Sequence, residues 1–447
     1  MNIAESYKDF LNKGKTEREC TGRIIQLAEE KGYRNIDSVE SLKAGDKVYV
    51  SKWNKAIALF NIGTEGMEKG MNILGAHIDS PRLDIKQNPL YESDFLVYLN
   101  THYYGGIKKY QWVTIPLALH GVVCLKDGTT VNINVGESKD DPVFTISDIL
   151  PHLAQKQMEG NAREFIPGEN LDLICGSGIV DSNDDEDEDK DDKKKESAKK
   201  NILKILKEKY GIEEKDFNSA ELEVVPAGDA RDLGFDRSLI LAYGQDDRSC
   251  AYTSVQAILD TEKADRTLCC LCVDKEEIGS VGATGMASHF MENAVAEVIA
   301  RMGDYSELSL RRCLNNSFML SSDVNSAYDP LNAGLYDKKN SSFLGGGIVF
   351  NKYTGSRGKS GASDASPEFI AKLRNALDNA KIKYQLAELG KVDQGGGGTI
   401  AYLAAKYGMF VLDAGVSVLS MHAPWEITSR FDIEEAYRAY KEFLRIR

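Results

Sequence analysis

The sequence predicts an α/β protein: a discontinuous domain built on a largely parallel central sheet, interrupted by an inserted β-rich domain. Three observations lead there. Residues 235–447 alternate apolar strand-like runs with helical stretches, the pattern of a parallel sheet flanked by helices. Between residues 91 and 225 the texture turns to β, with 96–104, 112–124 and 130–135 rich in Val, Ile, Thr and aromatics and separated by turn residues such as Gly105-Gly106. Finally, 447 residues exceed what one ordinary hydrophobic core serves, so two domains are expected: 1–90 with 235–447, and an insert over 91–234.

Taken in order, residues 5–31 carry apolar positions at helical spacing and predict one helix, and 47–62 alternate as strands. Residues 72–78 form a short apolar run that stops abruptly in polar residues, as a strand buried on both faces does at its C-terminal edge. Inside the insert, residues 181–200 are nearly all charged; 181–192 hold nine acidic residues and one lysine. Such a stretch predicts a mobile solvated loop, and it lacks the glycine and ligand spacing of an EF-hand. A helix is expected at 201–210. Further helices are expected at 249–259, 283–302, 366–379 and 433–444, alternating with strands at 267–273, 318–322 and 410–414.

Composition excludes several classes. A formal net charge of −14 disfavours nucleic acid, which requires a concentrated basic face. No run of eighteen apolar residues marks a membrane helix, and residues 1–20 lack the apolar core of a signal peptide; no membrane partner and a cytoplasmic location are expected. Eight cysteines in so long a chain do not make a disulfide framework. Cys269, Cys270 and Cys272 lie in one apolar run and predict a reduced interior strand.

Five polar motifs each close an apolar run. In Gly75-Ala76-His77-Ile78-Asp79-Ser80-Pro81, His77 and Asp79 point to the same side of an extended chain. A carboxylate there can fix the tautomer of a metal-ligating imidazole; a satisfied structural histidine is the alternative. Gln245-Asp246-Asp247-Arg248-Ser249 precedes a helix, where one carboxylate could bridge two metals or simply cap the helix. Asp274-Lys275-Glu276-Glu277-Ile278-Gly279-Ser280 follows the cysteine-rich strand, so that one carboxylate could ligate a metal while the other moves a proton, although solvated Glu pairs are common. Ser321-Ser322-Asp323-Val324-Asn325 and Ser420-Met421-His422-Ala423-Pro424 complete the set. The glycines at 279, 282 and 285 do not spell a dinucleotide loop, and Gly395 to Gly398 lack the Gly-Lys-Ser/Thr of a nucleotide loop. Strand ends along one edge of a parallel sheet converge on a common crevice. His, Asp, Glu, Asp and His gathered there suit a pair of zinc, manganese or cobalt ions.

In this order, His77-Ile78-Asp79-Ser80-Pro81, Asp246-Asp247-Arg248, Glu276-Glu277-Ile278-Gly279-Ser280, Ser322-Asp323 and Met421-His422-Ala423 resemble the M18 family of metallo-aminopeptidases, that of aspartyl aminopeptidase and the yeast vacuolar aminopeptidase. The likeness runs the length of the chain and includes Ile115-Pro116-Leu117-Ala118-Leu119-His120 in the insert. The resemblance implies removal of N-terminal residues from peptides with two divalent ions, zinc foremost and cobalt or manganese as alternatives. It implies that Asp246 bridges the ions, with His77 and Asp323 completing one site and Glu277 and His422 the other. Glu276 would be the general base and Asp79 the partner of His77. The family's insert sends a histidine matching His120 toward a neighbouring subunit's active site, in a dodecamer built from dimers through that insert. A family lysine near the substrate side chain has its nearest match in Lys352 of Gly347-Ile348-Val349-Phe350-Asn351-Lys352-Tyr353. Acidic and neutral first residues both stay open, because the bridging motif reads Asp-Asp-Arg where aspartyl enzymes have Asp-Asn. Two other classes are compatible with the same residues: an idle scaffold, and another two-metal amide hydrolase such as a deacylase or carboxypeptidase.

Overall fold

A computed structural model describes residues 2–178 and 197–447. Most of the acidic stretch expected to be a mobile loop, residues 181–196, lies outside the described residues. Contacts divide the chain into two compact units, Met1–Ser80 with Ala230–Met421 and Trp425–Arg447, and Pro81–Asp229 with His422–Pro424.

In the first unit, nine strands among the described residues form one sheet. Their spatial order is β1 (Arg34–Asn35), β2 (Lys47–Lys52), β3 (Ala56–Asn61), β13 (Thr267–Val273), β4 (Met71–His77), β14 (Phe318–Ser321), β18 (Phe410–Gly415), β16 (Ile348–Asn351) and β17 (Tyr384–Leu386). The four central strands β13, β4, β14 and β18 run parallel, and β3 and β16 border them antiparallel. Every residue of β4 and β13 is buried, as expected of strands covered on both faces. Successive side chains enter opposite cores: Ile73, Cys269 and Leu271 join one, Leu74, Cys270 and Cys272 the other. All eight cysteines are free thiols. A smaller sheet orders β11 (Arg231–Leu233), β12 (Leu239–Ala242), β20 (Glu426–Ser429), β19 (Ser417–Leu419) and β15 (Asn325–Ser326).

Local hydrogen bonding revises the expected boundaries in two places. The single helix expected over 5–31 is two, Ile3–Lys13 and Glu17–Glu30. The chain leaves helical geometry at Gly14, and Thr16 restarts it with a capping box: its Oγ1 accepts the Glu19 N–H, and the Glu19 carboxylate accepts the Thr16 N–H, each at 3.2 Å. The helix expected from 283 begins only at Phe290, because the preceding residues fold back on themselves. The Asp274 N–H donates to the Thr284 carbonyl and the Ala287 N–H to the Ser280 carbonyl.

Among the described residues the second unit forms a six-stranded antiparallel sheet in the order β8 (Thr130–Val135), β7 (Leu117–Cys124), β10 (Ala220–Pro226), β5 (Arg82–Ser93), β6 (Leu96–Tyr104) and β9 (Leu173–Ser177). Its boundary falls at Pro81 rather than residue 91, since β5 starts pairing with β6 at Arg82. The helix expected at 201–210 is Ser197–Tyr210, so residues 197–200 belong to a helix rather than to the charged loop. There the Lys199 N–H donates to Glu92 and its ammonium pairs with Glu214 at 2.6 Å. Among the described residues no helix is long and apolar enough to cross a membrane.

Candidate metal centre

The site of the first unit grows from the C-terminal ends of the parallel strands. His77 is the last residue of β4, and its Nδ1 lies 3.1 Å from the Asp79 carbonyl oxygen and 3.4 Å from Asp79 Oδ1. Both partners only accept, so Nδ1 carries a proton and Nε2 is the nitrogen available to an ion. Nε2 faces Asp246 Oδ1 at 3.3 Å and Asp323 Oδ1 at 3.9 Å. The Asp79 carboxylate, fully buried, also accepts the N–H of Glu276 and the N–H of Glu277, each at 3.2 Å. One side chain thus orders the imidazole and the turn bearing both glutamates.

That turn is a short 3-10 segment, Glu276–Ile278, entered through Lys275 at φ +68° and left through Gly279 at φ +96°. Gly279 supplies the left-handed conformation without strain. Asp246 and Asp247 stand at the start of the helix Gln245–Leu259 with non-helical dihedrals. The Asp246 N–H donates to Glu426 Oε2 at 3.1 Å, and the Ser80 hydroxyl donates to the Asp246 carbonyl at 2.8 Å. Asp247 Oδ2 accepts the His77 N–H at 3.3 Å. The buried Arg248 guanidinium donates to the carbonyls of Ile78 and Lys15, which fixes the helix start against the end of β4.

Electrostatically the site is crowded with carboxylates around one imidazole. Burial opposes charge on His77, but its hydrogen bonds to Asp246 and Asp79 outweigh burial and raise its pKa. Burial raises Asp247 and Asp323 as well, and for each a neighbouring carboxylate adds to the rise. Two sets of donor atoms lie within 4.8 Å of one another: His77, Asp246 and Glu277, and His77, Asp247 and Asp323. An excess of buried negative charge built from carboxylate oxygens and an imidazole nitrogen fits divalent zinc.

Of the residues singled out by the sequence, His77, Asp79, Asp246, Glu277 and Asp323 thus come together, with Glu276 beside Glu277 on the same turn. His422 belongs to the second unit, where its Nδ1–H donates to the Gly106 carbonyl at 2.8 Å. His120, on β7 of the same unit, is 1% exposed, and its Nε2 lies 3.0 Å from Glu137 Oε1. Lys352 directly follows β16, its ammonium 5.1 Å from the Tyr353 ring centroid, and Lys359 stacks on that ring at 3.5 Å. The sequence reading weighed Asp247 only as a cap or as the neighbour of Asp246, and it missed Glu426. A lone acid between Trp425 and Ile427, directly after the His422 motif, was the available signal for Glu426.

A parallel-sheet edge carrying a histidine–carboxylate cluster defines a metal-dependent hydrolase. The chain matches the family described as aminopeptidase I zinc metalloprotease (M18) over residues 10–444. It is 57% identical over 446 residues to a probable M18 family aminopeptidase 1 of Clostridium acetobutylicum, covering 99% of this chain and 94% of that protein. The crystal structure of aminopeptidase I from the same organism matches with a TM-score of 0.90 at 56% identity, over 99% of this chain and 94% of that one. An M18 aminopeptidase structure from Thermotoga maritima matches with a TM-score of 0.93 at 43% identity, over 99% and 96%. A yeast aminopeptidase solved as a dodecamer shares the fold, with a TM-score of 0.77 at 20% identity over 99% and 96%. The chain belongs to the M18 family of zinc metallo-aminopeptidases, and it is a hydrolase of that kind.

Proposed function

We propose that this aminopeptidase removes single N-terminal residues at a site holding two divalent ions, zinc foremost. The observation that carries the proposal is that Asp246 and Asp323 both face His77 Nε2, at 3.3 and 3.9 Å, while the Asp246 donor set also takes in Glu277. In this reading Asp246 would hold both ions, His77 and Asp323 would complete the site of one, and Glu277 that of the other. His422 joins Glu277 on the strength of the sequence resemblance. When bound, such ions polarise the scissile carbonyl and lower the pKa of water. Glu276 accepts the proton of the attacking water and returns it to the leaving amine. Asp79 orients His77 through Nδ1 and Glu276 through its backbone N–H. A free α-amine held against the cluster's carboxylates restricts cleavage to one residue per turnover. Lys352 lies beside the first side chain of the peptide. His120 acts across a subunit boundary in a dodecamer built from dimers, the dodecameric state being that of the yeast fold neighbour. The thiol-lined β13 suits a reducing compartment and supports a cytoplasmic location.

The test compares free-amine and N-acetylated peptides with wild-type enzyme and Glu276→Gln. Glu276→Gln should keep its ions and lose turnover by about 10²–10⁴-fold. The acetylated peptide should remain uncut. Efficient cleavage of the acetylated peptide would transfer the enzyme to the deacylase or carboxypeptidase class, and near-normal turnover by Glu276→Gln would remove that residue as the base.

A further inference from the structure

The turn bearing Glu276 and Glu277 is fastened at a point remote from its own carboxylates. Asp274, the first residue beyond β13, is fully buried. Its Oδ2 accepts the Thr284 hydroxyl at 2.7 Å and lies 3.2 Å from Lys275 Nζ and 3.7 Å from Lys55 Nζ. Lys55 sits just ahead of β3, is 6% exposed, and places Nζ 2.9 Å from Glu17 Oε1. Glu17 is fully buried as the first residue of the helix Glu17–Glu30.

An ammonium shared between two buried carboxylates contributes little net stability, because removing three charges from water offsets most of their attraction; apolar residues of the same volume often serve as well. What the charges do supply is direction. Lys55 ties the end of β13 to the start of a helix and to the start of β3. Asp274 and Thr284 then clasp the turn twice, the Asp274 N–H donating to the Thr284 carbonyl and the Thr284 hydroxyl to the Asp274 carboxylate. Glu276 and Glu277 stand between the clasped ends.

We propose that Lys55 is a positioning residue for the hydrolysis: pinned between Glu17 and Asp274, it holds the base of the turn and so aims the Glu276 carboxylate. The proposal rests on the reading of Glu276 as the general base. Lys55 acts through Asp274, so its loss should lower kcat rather than weaken substrate binding.

Lys55→Met and Glu276→Gln are compared with wild type for kcat, KM, zinc affinity by chelator competition, and thermal midpoint. Lys55→Met should lose kcat by about 10–10²-fold, the scale of a small misplacement at a reacting centre, with KM and zinc affinity unchanged within roughly threefold. A lowered midpoint with wild-type kcat per folded molecule overturns the proposal and makes Lys55 purely structural. Removing the lysine alone takes one countercharge from two buried carboxylates. Where that variant does not fold, the charge-free set Glu17→Gln, Lys55→Met and Asp274→Asn replaces it: the same kcat loss at constant KM supports the proposal, and wild-type turnover overturns it. An active Glu276→Gln removes the base reading and the positioning proposal together. An inactive Glu276→Gln beside an unimpaired Lys55→Met removes the positioning proposal alone.

Discussion

Asp79→Asn tests the site at the residue on which its geometry depends. The Asp79 carboxylate accepts two backbone N–H groups, those of Glu276 and Glu277, at 3.2 Å each, and it lies 3.4 Å from His77 Nδ1. A hydrogen bond to a charged acceptor contributes about 1.5–3 kcal/mol, against about 0.5–1.5 kcal/mol for a neutral one. Asparagine keeps one neutral acceptor and turns its NH₂ toward the second N–H, so the turn should lose about 2–4 kcal/mol of support. The imidazole also loses its anionic neighbour, and changes of that kind typically lower metal affinity or activity about 10–10²-fold. Zinc affinity by chelator competition, hydrolysis of a free-amine peptide and a urea unfolding curve measure the three effects separately. A folded Asp79→Asn with wild-type zinc affinity and kcat would refute the claim that one carboxylate orders both His77 and the glutamate turn.

Asp246→Ala should lose both ions, while His77→Ala and His422→Ala should each lose mainly one; metal counting on purified variants decides, and two ions retained by Asp246→Ala would falsify the bridge. Burial pushes the Asp413 carboxyl up from 3.8 to about 7, with the hydrogen bond from Thr399 opposing the rise. Its folded value therefore exceeds the unfolded one, so the stability it contributes is complete below about pH 4 and is lost as pH rises through about 7. Asp413→Asn should remove that loss, so unfolding measured at pH 5 and pH 8 should show the variant gaining on wild type by about 1–3 kcal/mol at the higher pH; an unchanged difference refutes it. His120→Phe should keep its ions and its assembly yet lose about 10²–10³-fold in rate, as expected for a lost donor to developing charge; near-normal turnover counts against the shared site.

What the sequence made legible follows from how buried parallel strands are written. Such strands need apolar residues on both faces, so β4 and β13 appear as largely apolar runs, and the polar residues that close them, His77 at the end of β4 and Asp274 just beyond β13, mark the edge where side chains can meet a ligand. The spatial order β13-β4-β14-β18 was not legible, because each of these strands carries a similar apolar run and nothing local names its neighbour. The break at Gly14 was written in the Thr16–Glu19 capping box but masked by helical periodicity on both sides. Glu426 and Glu137 acquire their partners through strand pairing and loop contact at a distance in sequence, Glu426 reaching the Asp246 N–H and Glu137 reaching His120. Periodicity reads one chain segment at a time and does not report such pairings.

The turn geometry also bears on how two adjacent glutamates come to hold different roles. Along a strand, neighbours point to opposite faces, and only one of the pair would reach the site. In a regular helix running on from β13, both would be carried along the axis and away from the strand ends. The 3-10 segment Glu276–Ile278, with three residues per turn, spreads successive side chains by about 120° while keeping their N–H groups on one side. Asp79 takes the N–H groups of both glutamates, as an anion does at the start of a helix. Glu277 is thereby brought to His77 and Asp246, while Glu276, one residue earlier on the turn, belongs to neither donor set. A ligand and a base cannot be the same group: a carboxylate committed to an ion is a poor proton acceptor, so the base falls to the other member of the pair. The left-handed Lys275 and Gly279 hold the segment to this single turn, so the division of labour proposed for the pair is set by backbone conformation before any ion binds.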